Sequence, residues 1–398
     1  MRIDRHRKAA AVAASALVLA LTAAGCSKSG GGSGGGSTTQ ASATIPANCF
    51  ASPAAASSPS STGNALDGTV TFNDANLTAL DNAISCALKG KSLSAANIAM
   101  VVNVAADYWN AGKTGFQAGC AALGIGSSNC TYFAPPDGTL TEQDTELETL
   151  RGKGITGYSI SAIDPASAKN AIASDVGNGT FVLAIDSPLP GTDAAGLYLG
   201  TPNTEAGYQA GLAMKAALGG SGDVAVLVGS LTAANATQRI AGFKQALAGS
   251  NIKVTVTEND NLSASTAQSD AETILANNPG IKGLYGVYSY DGPALAKAVT
   301  TANKSSSVKI VCDDTDPATL SAVQSGVISA TVVQMPYYQG YTGAYIMAAM
   351  KILGKDATMS LIKPFLESDG STLSSGVGVV TKADYSAYTS LESQLGIG

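Results

Sequence analysis

Val224 to Ala248 reads VAVLVGSLTAANATQRIAGFKQALA. Five apolar residues, Val224 to Val228, stop at Gly229-Ser230, and Thr237 to Ala248 then has the residues of an amphipathic helix. Val254 to Thr257 follows as a second short run. A short apolar run, a helix and another short run form the pattern of parallel strands joined by a crossover helix.

The same alternation extends in both directions. Towards the N-terminus, Ile98–Val102, Thr131–Ala134, Tyr158–Ser161 and Phe181–Ile185 read as strands. Between them, 115–123, 142–153 and 165–176 read as helices. Helix 204–218 leads into the quoted stretch. Beyond it come helix 264–277, strand 284–287, helix 293–301, strand 309–312, helix 317–325, strand 330–333 and helix 341–353. Two such runs in 398 residues predict an α/β protein of two doubly wound, Rossmann-like lobes. Ligands of such sheets sit beyond the carboxyl ends of the strands. The residues that follow each strand are therefore the ones to read for function.

Composition removes several chemistries. The single histidine, His6, lies in the leader, so the rest of the chain has no imidazole. That excludes Ser-His-Asp and Cys-His catalysis and any His-dependent metal site. A net charge of −6 offers no basic surface for nucleic acid. No cofactor and no metal are expected.

Residues 1–26 read as an export signal: Arg2, Arg5, Arg7 and Lys8 precede an apolar stretch, Ala9 to Ala23, that is short for a membrane span. The segment ends LTAAGC and resembles a bacterial lipobox, with Cys26 as the lipidated residue, although Ala23 stands where Leu is usual. An ordinary cleaved signal is the competing reading. A Gly/Ser/Thr-rich tether, 27–47, follows, and then an N-terminal extension, 48–95, with a helical pattern at Leu80, Ile84 and Leu88. Chain order pairs Cys49 with Cys86 and Cys120 with Cys130, which leaves Cys312 at the end of a buried strand.

The strand ends carry polar and aromatic side chains. Tyr108 and Trp109, in the loop after the first strand, can stack on a sugar ring or simply pack. Asp186 and Ser187 follow the strand ending at Ile185, where Asp186 can accept from hydroxyls or cap a turn. Arg239 lies near a helix start, facing a ligand or forming a surface ion pair. Tyr290 and Asp291 follow Val287. Asp313 and Asp314 end the next strand, with Asp316 before Pro317 left to cap a helix. Gln334 ends the last strand of the second run. Together these groups suit a polyhydroxylated ligand.

From about Asn97 to Tyr385 the chain resembles the periplasmic sugar-binding proteins of ABC importers, in the ribose-, galactose- and xylose-binding group. The motifs are Tyr108-Trp109, AIDS at 184–187, GTPNTEAG at 200–207, RIAGF at 239–243, DDTDPATL at 313–320 and ATVVQMP at 330–336. The resemblance implies ligand-binding roles for Tyr108, Trp109, Asp186, Asn203, Arg239, Asp314 and Gln334, and the strand-end positions add Ser187, Tyr290 and Asp291 as candidates. Two departures stand out: Ser187 replaces the Arg of ribose binders, and Pro202 replaces an Asp in the crossover segment. The Asp-Ser and Gly-Thr-Pro pattern is also similar to receptors for the furanosyl signal autoinducer-2.

The resemblance further implies a hinge of three crossovers, placed near 200–203, 334–337 and 363–367. Lobe one is then 96–201 with 336–363, and lobe two is 202–334 with 365–398. The implied function is extracytoplasmic capture of a monosaccharide or related polyol by closure of the lobes, without catalysis. Delivery would be to an ABC permease, from a monomer held at the membrane by its N-terminal lipid. The alternatives are a ligand-sensing subunit serving a chemoreceptor or kinase, and a carboxylate-based glycosidase, which needs two carboxyl groups about 5–9.5 Å apart.

Overall fold

The computed structural model describes residues 43–53 and 74–396. The leader, Cys26 and residues 27–42 of the tether lie outside them. In chain order the first elements are α1 (Asp74–Leu88), β1 (Ile98–Val101), α2 (Asp107–Leu123), β2 (Cys130–Phe133), α3 (Leu140–Gly152), β3 (Gly157–Ile160), α4 (Pro165–Gly177), β4 (Phe181–Ile185) and β5 (Tyr198–Gly200). Next come α5 (Asn203–Leu218), β6 (Ser221–Val228), α6 (Ala234–Leu247), β7 (Asn251–Asn259), α7 (Ala264–Asn277), β8 (Ile281–Gly286), α8 (Asp291–Thr301), β9 (Lys309–Asp313), α9 (Pro317–Ser325) and β10 (Ala330–Val333). The chain closes with α10 (Pro336–Leu353), α11 (Lys355–Ile362), β11 (Thr372–Ser374), β12 (Gly378–Val380) and α12 (Tyr385–Leu395).

The strands form two six-stranded sheets, ordered β11-β5-β4-β3-β1-β2 and β12-β10-β9-β8-β6-β7. The pairings are parallel except that β12 runs antiparallel to β10. A parallel sheet is covered by helices on both faces, which is why β1 and β10 are buried at every residue. The two doubly wound lobes expected from the alternation are present.

Several local expectations need correction. Thr372–Ser374 pairs in register with Tyr198–Gly200 of the first sheet. The third crossover therefore lies between Ser374 and Gly378, not at 363–367, and residues up to Ser374 belong to lobe one. The tether is shorter than its composition implies, because Ala43 N–H donates to Leu353 O at 3.1 Å and Ile45 packs on the lobe-one core. Helix α2 begins at Asp107 rather than Gly115, so Tyr108 and Trp109 stand in its first turn instead of a loop.

The ends of several helices follow local rules. Thr139 and Glu142 form a capping box at α3. Asp164 and Asp316 each cap a helix whose first residue is proline, Pro165 and Pro317. In lobe two, α5 and α6 approach so closely that a Cβ at Gly207 would overlap the carbonyl of Arg239, and one at Gly242 the carbonyl of Thr204. That approach places Arg239 at the base of the cleft.

The described parts of the N-terminal extension, 48–53 and 74–95, pack on lobe one. Leu77, Leu80, Ile84 and Leu88 of α1 are buried in one cluster with Ile346, Met350 and Leu361 of α10 and α11. Cys49 is disulfide-bonded to Cys86, which fastens the 43–53 segment to α1. Cys120 is bonded to Cys130, which ties α2 to β2. Cys312 is a buried free thiol in β9. Among the described residues no helix is long and apolar enough to cross a membrane.

Candidate functional site

The facing strand ends converge on Arg239. Its Nε donates to Asn203 Oδ1 at 2.9 Å, and Nη1 donates to Val287 O at 3.2 Å and to Asp313 Oδ2 at 3.1 Å. Its Nη2 donates to Gln334 Oε1 at 2.6 Å. Four of the five guanidinium hydrogens are thereby engaged. Gln334 also accepts from Thr201 Oγ1 at 2.8 Å, and its Nε2 donates to Asp314 Oδ1 at 2.6 Å. Hinge residues and lobe-two carboxylates thus form one buried network in which each member orients the next.

Lobe one contributes Asp186. It follows β4 with φ +62°, and Ser187 N–H folds back to Ile185 O at 2.6 Å. Asp314, after β9, has φ +72°. Positive φ is unfavourable for a residue with a side chain, so in each lobe the chain is held in a strained turn at its strand-end aspartate. Ser161 Oγ donates to Asp186 Oδ2 at 2.7 Å, and Tyr198 Oη donates to Asp186 O at 2.9 Å. Asn203 of lobe two donates to Tyr198 Oη at 3.1 Å. Tyr108 is close enough to feel the charges of Asp186, Asp314 and Arg239, and its hydroxyl accepts from Gln339 Nε2 at 3.0 Å.

Burial and charge oppose each other here. Burial raises the Asp186, Asp313 and Asp314 carboxyl groups, and the nearby Arg239 guanidinium pulls each back down. Asp313 is pushed up to about 8 and Asp314 to about 6. Arg239 remains a cation, held above its ordinary range by Asp313, Asp314 and Asp186 despite burial. One fixed positive charge beside Asp313 and Asp314, with pKa values near neutrality, suits hydroxyl donors better than a charged ligand.

The ten expected site residues divide. Tyr108, Asp186, Asn203, Arg239, Asp314 and Gln334 are brought together. Ser187 faces the start of α6 across the cleft, with Asn235 N–H 3.3 Å from its Oγ. Trp109 is a core residue of lobe one, 2% exposed, with its indole N–H donated to Asn103 Oδ1 at 2.8 Å. Asp291 is turned away from the cleft. Its Oδ2 accepts from Val287 and Tyr288 N–H at 3.0 and 2.9 Å, because the turn into α8 needs an acceptor. Tyr290 donates to Asp260 Oδ1 at 2.6 Å, beneath the same turn.

The sequence assigns no role to Ser161, Tyr198, Asn235 or Tyr288, and of Asp313 and Asp314 it favours Asp314, whereas the structure brings Asp313 onto Arg239 as well. Tyr288 lies two residues before Tyr290, and its hydroxyl donates to Asn235 Oδ1 at 3.3 Å. The tyrosines alternate in the loop, and nothing local says which one faces the cleft. Tyr198 belongs to a strand of three residues, too short to announce itself. Among the described residues no group of three or more His, Cys, Asp or Glu could hold a metal.

Two doubly wound lobes joined by three crossovers, with polar groups from both meeting at the strand ends, define a two-lobed ligand-binding protein. The chain belongs to the periplasmic binding protein family, whose domain model matches residues 98–356. It is 25% identical to the D-allose-binding periplasmic protein of Escherichia coli K12 over 277 residues, 67% of this chain and 88% of that one. A Burkholderia graminis ABC transporter solute-binding protein solved with D-arabinose is 28% identical, with a TM-score of 0.65. That match covers 75% of this chain and 99% of the other. The XylFII-LytSN complex is similar at 25% identity and TM-score 0.63, over 73% of this chain and 99% of that one.

Proposed function

We propose that this protein is the extracytoplasmic solute-binding component of an ABC importer, and that its cleft holds a monosaccharide or related polyol. The observation that carries the reading is the Arg239–Asp313–Gln334–Asp314 network of lobe two facing Asp186 of lobe one. Carboxylates and an amide accept from and donate to ring hydroxyls, and Tyr108 and Tyr288 supply aromatic surface. Sugar binders among the relatives support it. Asp186, Asp314, Arg239, Gln334 and Asn203 are the ligand contacts in this reading. Lipidation at Cys26 would hold the protein at the membrane while the tether lets the body reach a permease. The protein works by binding and release, with no bond broken.

A panel of aldopentoses and aldohexoses, D-arabinose, D-allose, D-ribose and D-xylose among them, tests this by thermal shift. A saturable rise in Tm for a subset, with the sugar recovered unchanged, is the expected result. A flat panel, or hydrolysis of an aryl glycoside, would overturn it.

A second reading is favoured by one observation, the likeness to a relative solved in complex with LytSN. The same closed form would then be presented to a receptor protein. Crosslinking in whole cells separates the two: a permease subunit supports import, and a receptor protein supports sensing.

A further inference from the structure

We propose that Ser187 is an interlobe latch, which caps helix α6 across the cleft, and is not a ligand contact. A helix leaves its first backbone N–H groups without partners, and an N-cap side chain normally accepts from the second or third of them. Helix α6 has no such cap of its own. Its N-cap residue is Ala233, which has no acceptor. The third N–H, of Ala236, is met by the Asn235 side chain at 2.7 Å. The second, of Asn235, is met at 3.3 Å by Ser187 Oγ from lobe one.

A second contact joins the same residues. Asn235 Nδ2 lies 3.5 Å from both carboxylate oxygens of Asp186, and Tyr288 Oη fixes the other end of the amide. Ser187 and Asn235 are 2% and 4% exposed, so water does not compete for these bonds when the lobes are together. When the lobes part, the Asn235 N–H loses its partner. The cap therefore adds to the closed state alone, and it biases the open–closed equilibrium before any ligand contact is counted. Where an Arg at this position would reach for a ligand, the short hydroxyl reaches the helix.

The test is a double-mutant cycle between Ser187→Ala and Ala233→Ser. The second change supplies a cap from within α6, in open and closed forms alike. Two readouts are followed. One is the apo interlobe distance distribution, from spin labels at Lys153→Cys and Glu272→Cys on exposed positions of the two lobes. The other is the Kd for D-arabinose as probe. Ser187→Ala should shift the closed-to-open ratio, and raise Kd, by about five-fold. In the Ala233→Ser background the same change should have little effect, and Ser187→Thr should retain the latch. An equal loss in both backgrounds would make Ser187 a ligand contact and overturn the proposal. So would no effect of Ser187→Ala on either readout. If D-arabinose fails to bind, the distance measurement alone still decides the latch, separately from the sugar-binding reading.

Discussion

The two lobes share one architecture and differ in how they hold their halves of the cleft. In each, a strand ends in an aspartate at positive φ, Asp186 in one and Asp314 in the other. In each, two helices meet at glycines where a Cβ would overlap the partner backbone: Gly115 and Gly340 between α2 and α10, Gly207 and Gly242 between α5 and α6. Lobe one surrounds Asp186 with neutral donors, Ser161 and Tyr198, and is braced by two disulfides and an added helix. Lobe two contains no disulfide among its described residues and centres on a buried cation whose partners are two hinge-side amides, Asp313 and the Val287 carbonyl. Lobe one is thus stabilised away from its site, and lobe two through its site. Changes in the cleft should therefore separate stability from binding in lobe one and couple them in lobe two.

The largest expected effect comes from removing the cation. Arg239→Ala removes the cation that pairs with buried Asp313, for which Tyr285, the carboxyl group's other partner, is no substitute, and such a loss typically costs about 3–5 kcal/mol. Urea unfolding should show that loss, and hydrogen exchange should place it in lobe two. A loss confined to binding would break the contrast between the lobes. Next, Cys86→Ala, which leaves Cys49 unpaired, should destabilise lobe one by about 2–4 kcal/mol and leave exchange in lobe two unchanged. Asp186→Asn should weaken sugar binding by about 100-fold through lost charge-assisted bonds, while Tm moves by no more than about 2 °C.

Two smaller effects follow from protonation. Asp81 of α1 is buried against Thr342, with one oxygen unpartnered, and burial pushes it from 3.8 to about 8. The folded protein keeps this proton where the unfolded chain has released it, so stability falls as pH rises from about 4 to about 8. Asp81→Asn should remove that fall, and its Tm advantage over the native chain should grow by several degrees across the window. In the cleft, Asp314 is raised to about 6, and in the proposed reading a sugar hydroxyl would donate to its ionised form. Titrations at pH 5 should give a Kd about tenfold weaker than at pH 7.5, and Asp314→Asn should flatten that dependence.

Much of this arrangement is legible in the sequence, for physical reasons that also explain the failures. Strands such as Val224 to Val228 are covered on both faces, so they appear as unbroken apolar runs. Arg239, Asp186 and Gln334 could be picked out because a doubly wound sheet sends the residue after each strand to one edge. The strands Tyr198–Gly200 and Thr372–Ser374 are three residues each, and their pairing is with one another across a long separation. No local pattern marks them, so the third crossover is not legible from the sequence. The start of α2 was hidden because its N-cap, Ala106, makes no side-chain cap and Gly112 and Gly115 lower helix propensity. Those glycines serve the approach of α10, a tertiary requirement. Trp109 and Asp291 each have a nearer partner, Asn103 and the turn into α8, that spacing does not reveal.

The central claim is that the two strand-end aspartates act on one sugar from opposite lobes. Isothermal titration of the monosaccharide panel into the native protein, Asp186→Asn and Asp314→Asn tests it most directly. The account predicts one saturable site for at least one sugar, weakened by either substitution. Saturable binding that survives both substitutions, or no heat from any sugar, would contradict it.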